Sequence, residues 1–337
     1  MRTLQSIAPG GPDTLVLREV ETPEPGAGQV RVRVLACAIN YPDVLIIEDR
    51  YQLKPTRPFA PGGEIAGVVE AVGDGVEEWV PGDRIIALIA YGGLAEQVIV
   101  EASRLHRLPN ACRAVEGAAL LLTYGTALHA LVDRGKVAAG NTVLVLGAGG
   151  GLGLAGVELG ALLGARVIAA ISSEPKATAA REAGASATVL YPRGPFDAAG
   201  VRSLATLFKG AVGERGADVV FDPVGGDYAD PAIRAIAWGG RYLVLGFPAG
   251  LPRLPLNLPL LKGCDVVGVF YGAHALREPE YNRAAVARLL GWLQEGRIRP
   301  RISEQLPLER APEAIAKLAA RAAVGKLVVT LSDDVDH

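Results

Sequence analysis

The stretch T-V-L-V-L-G-A-G-G-G-L-G (142–153) ends an apolar run in glycines. Glycines at such spacing let a backbone approach a pyrophosphate, and a helix opening after them turns free N–H groups and its positive end toward the same anion. Two registers fit. Gly147, Gly150 and Gly153 read as GxxGxxG directly after the run, whereas Gly151, Gly153 and Gly156 read as GxGxxG displaced beyond it. The first is preferred because the turn should begin where the strand stops; Gly151 lies in the same turn. The bland alternative is a glycine-rich turn in a chain with 42 glycines. The flanking order of strand, turn, helix and strand argues against it. After the next apolar run, Arg166–Ile171, comes S-S-E-P-K (172–176). Ser172 and Ser173 stand where a sheet that prefers NAD carries an acid for the ribose 2′-hydroxyl, and Lys176 follows within reach. Hydroxyls and a cation suit a 2′-phosphate that a carboxylate would repel, so the expected cofactor is NADPH (NADP+). Glu174 is expected to serve as a first-turn helix acid, favoured by the dipole.

The elements that position these residues follow from apolar periodicity and turn chemistry. Residues 14–19, 29–38 (with its V-R-V-R-V alternation), 64–72, 84–89 and 95–100 read as short strands separated by Gly/Pro clusters. Many short strands at this spacing predict a small, partly open barrel. Residues 115–132 have helical spacing, broken at Thr123-Tyr124-Gly125. Strands then alternate with helices: strands over 187–191, 218–222, 241–246 and 265–270, helices over 198–212 and 228–237. That alternation predicts a doubly wound parallel sheet. A helix over 280–295, a run at 301–306, a helix over 311–323 and a strand over 326–331 close the chain, the last strand rejoining the first domain. Gly246-Phe247 and Phe270-Tyr271 end the last two sheet strands, where ligands bind in open α/β sheets. Plain packing is the alternative for these aromatics.

The totals bound the class. With 337 residues, 50% hydrophobic and 21% charged, the chain reads as a two-domain globular protein. A net charge of −2, with no basic stripe carrying interleaved aromatics, speaks against nucleic acid as a partner. No apolar stretch reaches the roughly 18 residues of a membrane span. The N-terminus, M-R-T-L-Q-S-I-A-P-G-G, has no signal-peptide run, and the expected location is cytoplasmic. Cys37, Cys112 and Cys264 share no close spacing, which argues against a disulfide framework and a four-cysteine zinc site. His106, His129, His274 and His337 are scattered, with no ligand partner at helical or hairpin spacing, so no metal is expected. Cys37 reads as a buried apolar residue.

Several segments, in order, carry a family resemblance. They are A-I-N-Y-P-D-V-L (38–45), P-F-A-P-G-G-E-I-A-G-V-V-E-A-V-G (58–73), L-L-T-Y-G-T-A-L-H-A-L (121–131), G-A-G-G-G-L-G-L-A (147–155), D-V-V-F-D-P-V-G-G (218–226) and G-K-L-V-V (325–329). With them the chain resembles the medium-chain dehydrogenase/reductase superfamily, and within it the zinc-independent quinone oxidoreductases of the zeta-crystallin branch. The resemblance implies an α/β chain: a GroES-like, partly open β-barrel domain over 1–122 and 273–337, and a Rossmann sheet over 123–272. Gly149 departs from the family, which usually has Ala or Ser there; the expected consequence is a slightly looser turn and nothing more. Zinc-dependent relatives hold their metal with a Cys three residues before an Asp and a His just before a Glu. Here those places read Asn40-Tyr41-Pro42-Asp43 and Gly63-Glu64.

The resemblance implies roles for further residues. Asn40, in the cysteine's place, is expected to donate from its amide to nicotinamide or substrate, and Tyr51 to donate through its hydroxyl. Thr123 is expected at the nicotinamide ribose or amide, Tyr191 near the adenosine phosphate, and Lys326 at a cofactor phosphate or amide. Each has a plainer reading: a turn asparagine, a surface tyrosine, a helix hydroxyl, a strand aromatic, a solvated lysine. The implied activity is metal-free, NADPH-dependent reduction of quinones or α,β-unsaturated carbonyls. Without a Lewis acid, neutral donors must stabilise the developing oxyanion, which favours electron-poor acceptors. Two other activities stay open. One is an enoyl-thioester (acyl-CoA) reductase, with Arg50, Lys54 and Arg57 at a channel mouth. The other is a non-enzymatic cofactor-binding structural or RNA-binding protein. The apolar edge at 265–270 is expected to join two copies into a homodimer.

Overall fold

The computed structural model describes residues 1–332, so His337 lies outside the described residues. The chain forms two compact units: Met1–Leu122 with the segment from Val286 onward, and Thr123–Ala285. The second unit runs past the expected return at 272. Tyr271–Arg277 is a helix whose Tyr271 ring packs on Gly125 and whose hydroxyl donates to Asn282 Oδ1 at 2.8 Å, which binds this stretch to its own sheet.

The first unit is built on the strand Gln29–Ile39. Along one edge it pairs antiparallel with Glu64–Val72. Its other edge is shared in succession: residues 29–33 pair with Gln97–Glu101, and residues 36–39 with Lys326–Thr330. One strand serving three partners curls the sheet, as the expected barrel requires. The full order is Ile302–Pro307, Lys326–Thr330, Gln29–Ile39, Glu64–Val72, Arg84–Leu88, Leu105–Arg107. Alternation explains the first half of the central strand: Val30, Val32 and Val34 are buried, Arg31 and Arg33 only partly. From Leu35 onward every residue is buried, and the residues are small (Ala36, Cys37, Ala38) because both faces are covered.

The second unit is a six-stranded, all-parallel sheet. Its order is Ala187–Leu190, Arg166–Ile171, Thr142–Val145, Ala217–Asp222, Ile236–Val244, Asp265–Gly268. The order reverses between Thr142–Val145 and Ala217–Asp222, the switch point at which such sheets bind ligands. Three readings of the sequence are corrected. The strand read at 241–246 begins at Ile236, and the helix before it is shorter, Ala229–Arg234. The edge strand ends at Gly268, two residues before Phe270. The helical stretch read as broken at Thr123-Tyr124-Gly125 stays wound as wide π turns, Leu121–Gly125 and His129–Arg134, around Thr126–Leu128. Gly125 is required there: a Cβ would lie 2.5 Å from the Tyr271 ring. Among the described residues no helix is long and apolar enough to cross a membrane.

Candidate functional site

The first unit holds a buried polar centre at one end of three neighbouring strands. Ile39 pairs with Leu327 and Ala38 with Glu64, so Asn40, Lys326 and Glu64 meet where these strands end. All three are buried: Glu64 is 0% exposed, Lys326 4% and Asn40 7%. Lys326 Nζ lies 2.6 Å from Asn40 Oδ1 and 3.0 Å from Glu64 Oε2. Asn40 Nδ2 donates to Glu64 Oε2 at 2.9 Å and to the Ala38 carbonyl at 3.2 Å. The Leu122 N–H donates to Glu64 Oε1 at 2.8 Å. An ammonium on one side and a carboxylate on the other fix the orientation of the amide, since only oxygen suits the first and only nitrogen the second.

This geometry revises two expected roles. Both amide hydrogens of Asn40 are committed inside the protein, so Asn40 orients its neighbours and is not a spare donor. Lys326 is neither solvated nor directed at a phosphate; it is the countercharge of a buried carboxylate. Sequence reasoning placed Glu64 and Asp43 only as remnants of a zinc motif and assigned them no role. The signal for Asp43 was its position three residues after Asn40, at the start of the helix Tyr41–Ile47. Its carboxylate accepts the Asn40 N–H at 2.7 Å and the Gly62 N–H at 3.0 Å, pinning two loops. Cys37 is fully buried beside these acids, and burial, then Asp43, pushes its thiol well above the ordinary range. The apolar reading of Cys37 fits that environment.

The centre does not suit a zinc ion. Catalytic zinc takes about three ligands from Cys, His or carboxylate. Here Gly63 offers no side chain, the Asn40 oxygen faces an ammonium, and Glu64 is already bound to that ammonium. Tyr51 lies half-buried against the same barrel core, and burial raises its hydroxyl pKa, with Asp43 adding to the rise. Arg57, one of the three basic residues considered for a thioester channel, is folded inward. It pairs with Asp49 at 2.8 Å and donates to the Ile47 carbonyl and to Ser6 Oγ. Arg50 pairs with Glu48 at 2.9 Å.

The second unit holds the glycine turn. The strand Thr142–Val145 leads through a turn over residues 146–150 into the helix Gly151–Leu162, with Gly150 as N-cap. Gly147 has φ +57°, in the left-handed region. A Cβ on Gly153 would meet the Gly147 carbonyl oxygen at 2.2 Å, while one on Gly150 would meet nothing nearer than 3.7 Å. The turn is therefore tight inside and open at its mouth, and the N-cap uses no side chain, leaving the first N–H groups for an anion. A Cβ on Gly149 would strike the Lys176 stem at 2.5 Å. The expectation that Gly149 merely loosens the turn is thus replaced: its missing side chain is the space in which Lys176 lies.

Ser173 is the N-cap of the helix Glu174–Glu182, and Ser172 and Ser173 are partly exposed. Glu174 is exposed and reaches Arg181 at 3.5 Å, consistent with a first-turn acid. Tyr191 is 8% exposed and packs on Phe208 and Tyr228. Thr123 is buried in the wide turn. Gly246 is open, Phe247 and Phe270 are exposed, and Tyr271 is buried. Asp222 Oδ1 accepts the Val224 and Gly225 N–H groups and so shapes the turn facing Gly147, whose Cβ position abuts Val224.

The histidines need a correction. His129 has a ligand-type partner at helical spacing: its Nδ1 lies 2.7 Å from Asp133 Oδ2, and its ring stacks on that of His274 at 4.0 Å. Burial lowers the His129 pKa, opposed by Asp133. The sequence hid this pair because contact requires the whole sheet between them.

Comparison with known proteins agrees with both halves. The profile of the alcohol dehydrogenase GroES-like domain matches residues 26–110, and that of the zinc-binding dehydrogenases matches residues 183–329. Bovine quinone oxidoreductase-like protein 2 is 38% identical over 94% of this chain and 89% of its own. Human quinone oxidoreductase is 30% identical over 98% of both chains. The structure of Escherichia coli quinone oxidoreductase complexed with NADPH superposes with a TM-score of 0.89 at 25% identity, covering 98% of this chain and 100% of that one. The fold is thus a GroES-like domain joined to a Rossmann-type sheet. The chain belongs to the medium-chain dehydrogenase/reductase superfamily, among its quinone oxidoreductase-like oxidoreductases.

The centre has a signature in pH. Burial pushes the Asp43 carboxyl from 3.8 up to about 6, against the pull of its two N–H donors and of Lys326. Between those values the folded protein keeps a proton that the unfolded chain has released. The stability tied to Asp43 is therefore full below about pH 4 and falls as pH rises through about 6, by about 3 kcal/mol in all. A carboxyl-carbon NMR titration should give Asp43 a midpoint near pH 6; a midpoint at or below about 4 is the contrary result.

Proposed function

We propose that the protein is an NADPH-dependent reductase of quinones or α,β-unsaturated carbonyls that works without a catalytic metal. The observation that carries the reading is the Lys326 ammonium, held between Asn40 and Glu64 where zinc-dependent relatives place their ligands. A cation is already built into the chain there, and a second has no donors left. The names of the relatives, quinone oxidoreductases and one complexed with NADPH, support the same class of reaction.

NADPH, when bound, supplies the hydride. The chain's own residues do the rest. The glycine turn at Gly147, Gly150, Gly151 and Gly153 receives the pyrophosphate at the open helix end. Ser172, Ser173 and Lys176 bind the 2′-phosphate through two hydroxyls and one cation, and the Lys176 stem over Gly149 fixes where that charge starts. Thr123, Gly246, Phe247, Phe270 and Tyr271 are the residues assigned to the nicotinamide end, Tyr271 through its backbone. Tyr51 donates a hydrogen bond to the developing oxyanion; burial moves its hydroxyl pKa still further above neutrality. Asn40 and Lys326 keep Glu64 ordered and neutralised, and their fixed dipole and charge shape the field at the substrate. Arg57 is turned inward, while Arg50 and Lys54 are exposed, so an acyl-CoA acceptor is the alternative that the substrate screen below separates from small acceptors.

Among the described residues the edge strand Asp265–Gly268 pairs only with Ile236–Val244, and the unit exposes large apolar side chains on and around these strands' sequence neighbours. Trp238 and Leu260 are each 80% exposed, with Leu261, Leu256 and Val266 also exposed. We read this edge as the seam of a homodimer. Light scattering should give twice the chain mass at micromolar concentration, and a monomer mass contradicts the seam.

The test of activity is a turnover screen with NADPH and NADH against quinones, enones and enoyl-CoAs, with and without a chelator. The expected result is NADPH-dependent reduction of the small acceptors, unchanged by the chelator. Tyr51→Phe should lower kcat about 100-fold. Lys176→Ala should erode the preference for NADPH over NADH about 10-fold. Loss of turnover on metal removal, or a Lys176→Ala enzyme with an unchanged preference, contradicts the reading.

A further inference from the structure

We propose that His129, Asp133 and His274 form a site for one zinc-class divalent ion, apart from both the glycine turn and the Lys326 centre. One donor atom from each of the three residues lies within 4.8 Å of the other two. His129 and Asp133 stand at i and i+4 on the wide turn His129–Arg134, and His274 comes from the helix Tyr271–Arg277. All belong to the sheet unit. The two imidazoles stack with ring centroids 4.0 Å apart and planes 14° apart, so their ring edges run alongside one another.

Two observations point to a missing partner. His274 Nε2 is buried and has no hydrogen-bond partner. Buried polar atoms are rarely left so, and an ion is one of the groups that satisfy them. The carboxylate is also already held in place: the Tyr281 hydroxyl donates to Asp133 Oδ1, and the Tyr281 ring sits edge-on to His274 at 5.5 Å. A hydrogen bond of this kind orients a ligating carboxylate in metal sites. The neighbouring Arg134 acts against positive charge at His129, an effect the Asp133 carboxylate offsets, and its Nε is held by the Gly268 carbonyl at 3.1 Å.

Two imidazoles and a carboxylate suit zinc and similar ions, and poorly suit calcium or magnesium, which take oxygen. Donors on tetrahedral zinc are about 3.4 Å apart, so side-chain rotation must open the 2.7 Å His129–Asp133 contact as the ion enters, with water as a fourth ligand. The ion would clasp the wide turn to the helix that leaves the sheet's edge strand. The proposal does not depend on the NADPH reading.

The experiment is calorimetric titration of the untagged, metal-stripped full-length protein with zinc chloride in a non-chelating buffer, with a parallel melt. One equivalent per chain and a melting temperature raised by about 3 °C or more are expected. His274→Gln, on a partly exposed helix, should weaken binding at least about 10-fold, and Asp133→Asn likewise. His106→Gln, on the barrel, should leave it unchanged. Cobalt(II) in place of zinc should give a visible absorption band that His274→Gln abolishes. No zinc binding, or binding of equal affinity in the His274→Gln protein, overturns the proposal.

Discussion

A carboxylate with no solvent exposure needs a countercharge, hydrogen-bond donors or a proton, and the rest of the barrel's polar centre follows from how Glu64 gets the first two. Burying a lone carboxylate is far more costly than any single contact can offset. Glu64 meets that requirement with Lys326 at 3.0 Å, and spends its remaining lone pairs on the Asn40 amide and the Leu122 N–H. The pair joins the two ends of the first unit, because Lys326 arrives on a strand far along the chain and Glu64 opens an early one. Removing one partner of such a pair strands the other; that asymmetry gives the arrangement its rigidity.

The same interaction decides the chemistry that the centre can support. A fixed ammonium carries one positive charge, cannot exchange ligands and cannot take a substrate oxygen into its coordination sphere as a metal does. In the proposed reaction polarisation comes from hydrogen bonds, which act best on acceptors that are already electron-poor. The sheet unit contributes a different constraint. Gly153 and Gly147 approach closely through backbone, while a Cβ at Gly150 would meet nothing nearer than 3.7 Å and the Lys176 stem lies over Gly149.

Much of this was legible in the sequence. The alternation at 29–34 and the all-apolar sheet strands gave the two architectures. The position of Gly147 soon after the apolar run marked where the turn begins, and the final strand's return was visible as a short apolar run after the last helix. What periodicity could not show was direction. Lys326 reads as a solvated residue before a strand, and only the pairing of Ile39 with Leu327 and of Ala38 with Glu64 turns it inward. Asn40 reads as a spare donor until its two neighbours of opposite charge are seen. His129 and His274 look unrelated because their contact is made by tertiary structure, although Asp133 at i+4 was a local clue. The break read at Thr123–Gly125 failed for a similar reason: glycine there accommodates the Tyr271 ring and does not end the helix.

The most direct measurement of the central claim is a double-mutant cycle on the buried pair, read by denaturant unfolding. Lys326→Met should cost about 3–5 kcal/mol because Glu64 is left charged and alone. Combined with Glu64→Gln, which keeps an acceptor for Leu122, the loss should fall at least about 2 kcal/mol short of the sum of the single losses. Effects that add to within about 0.5 kcal/mol would show that the two residues do not depend on each other, and would contradict the account.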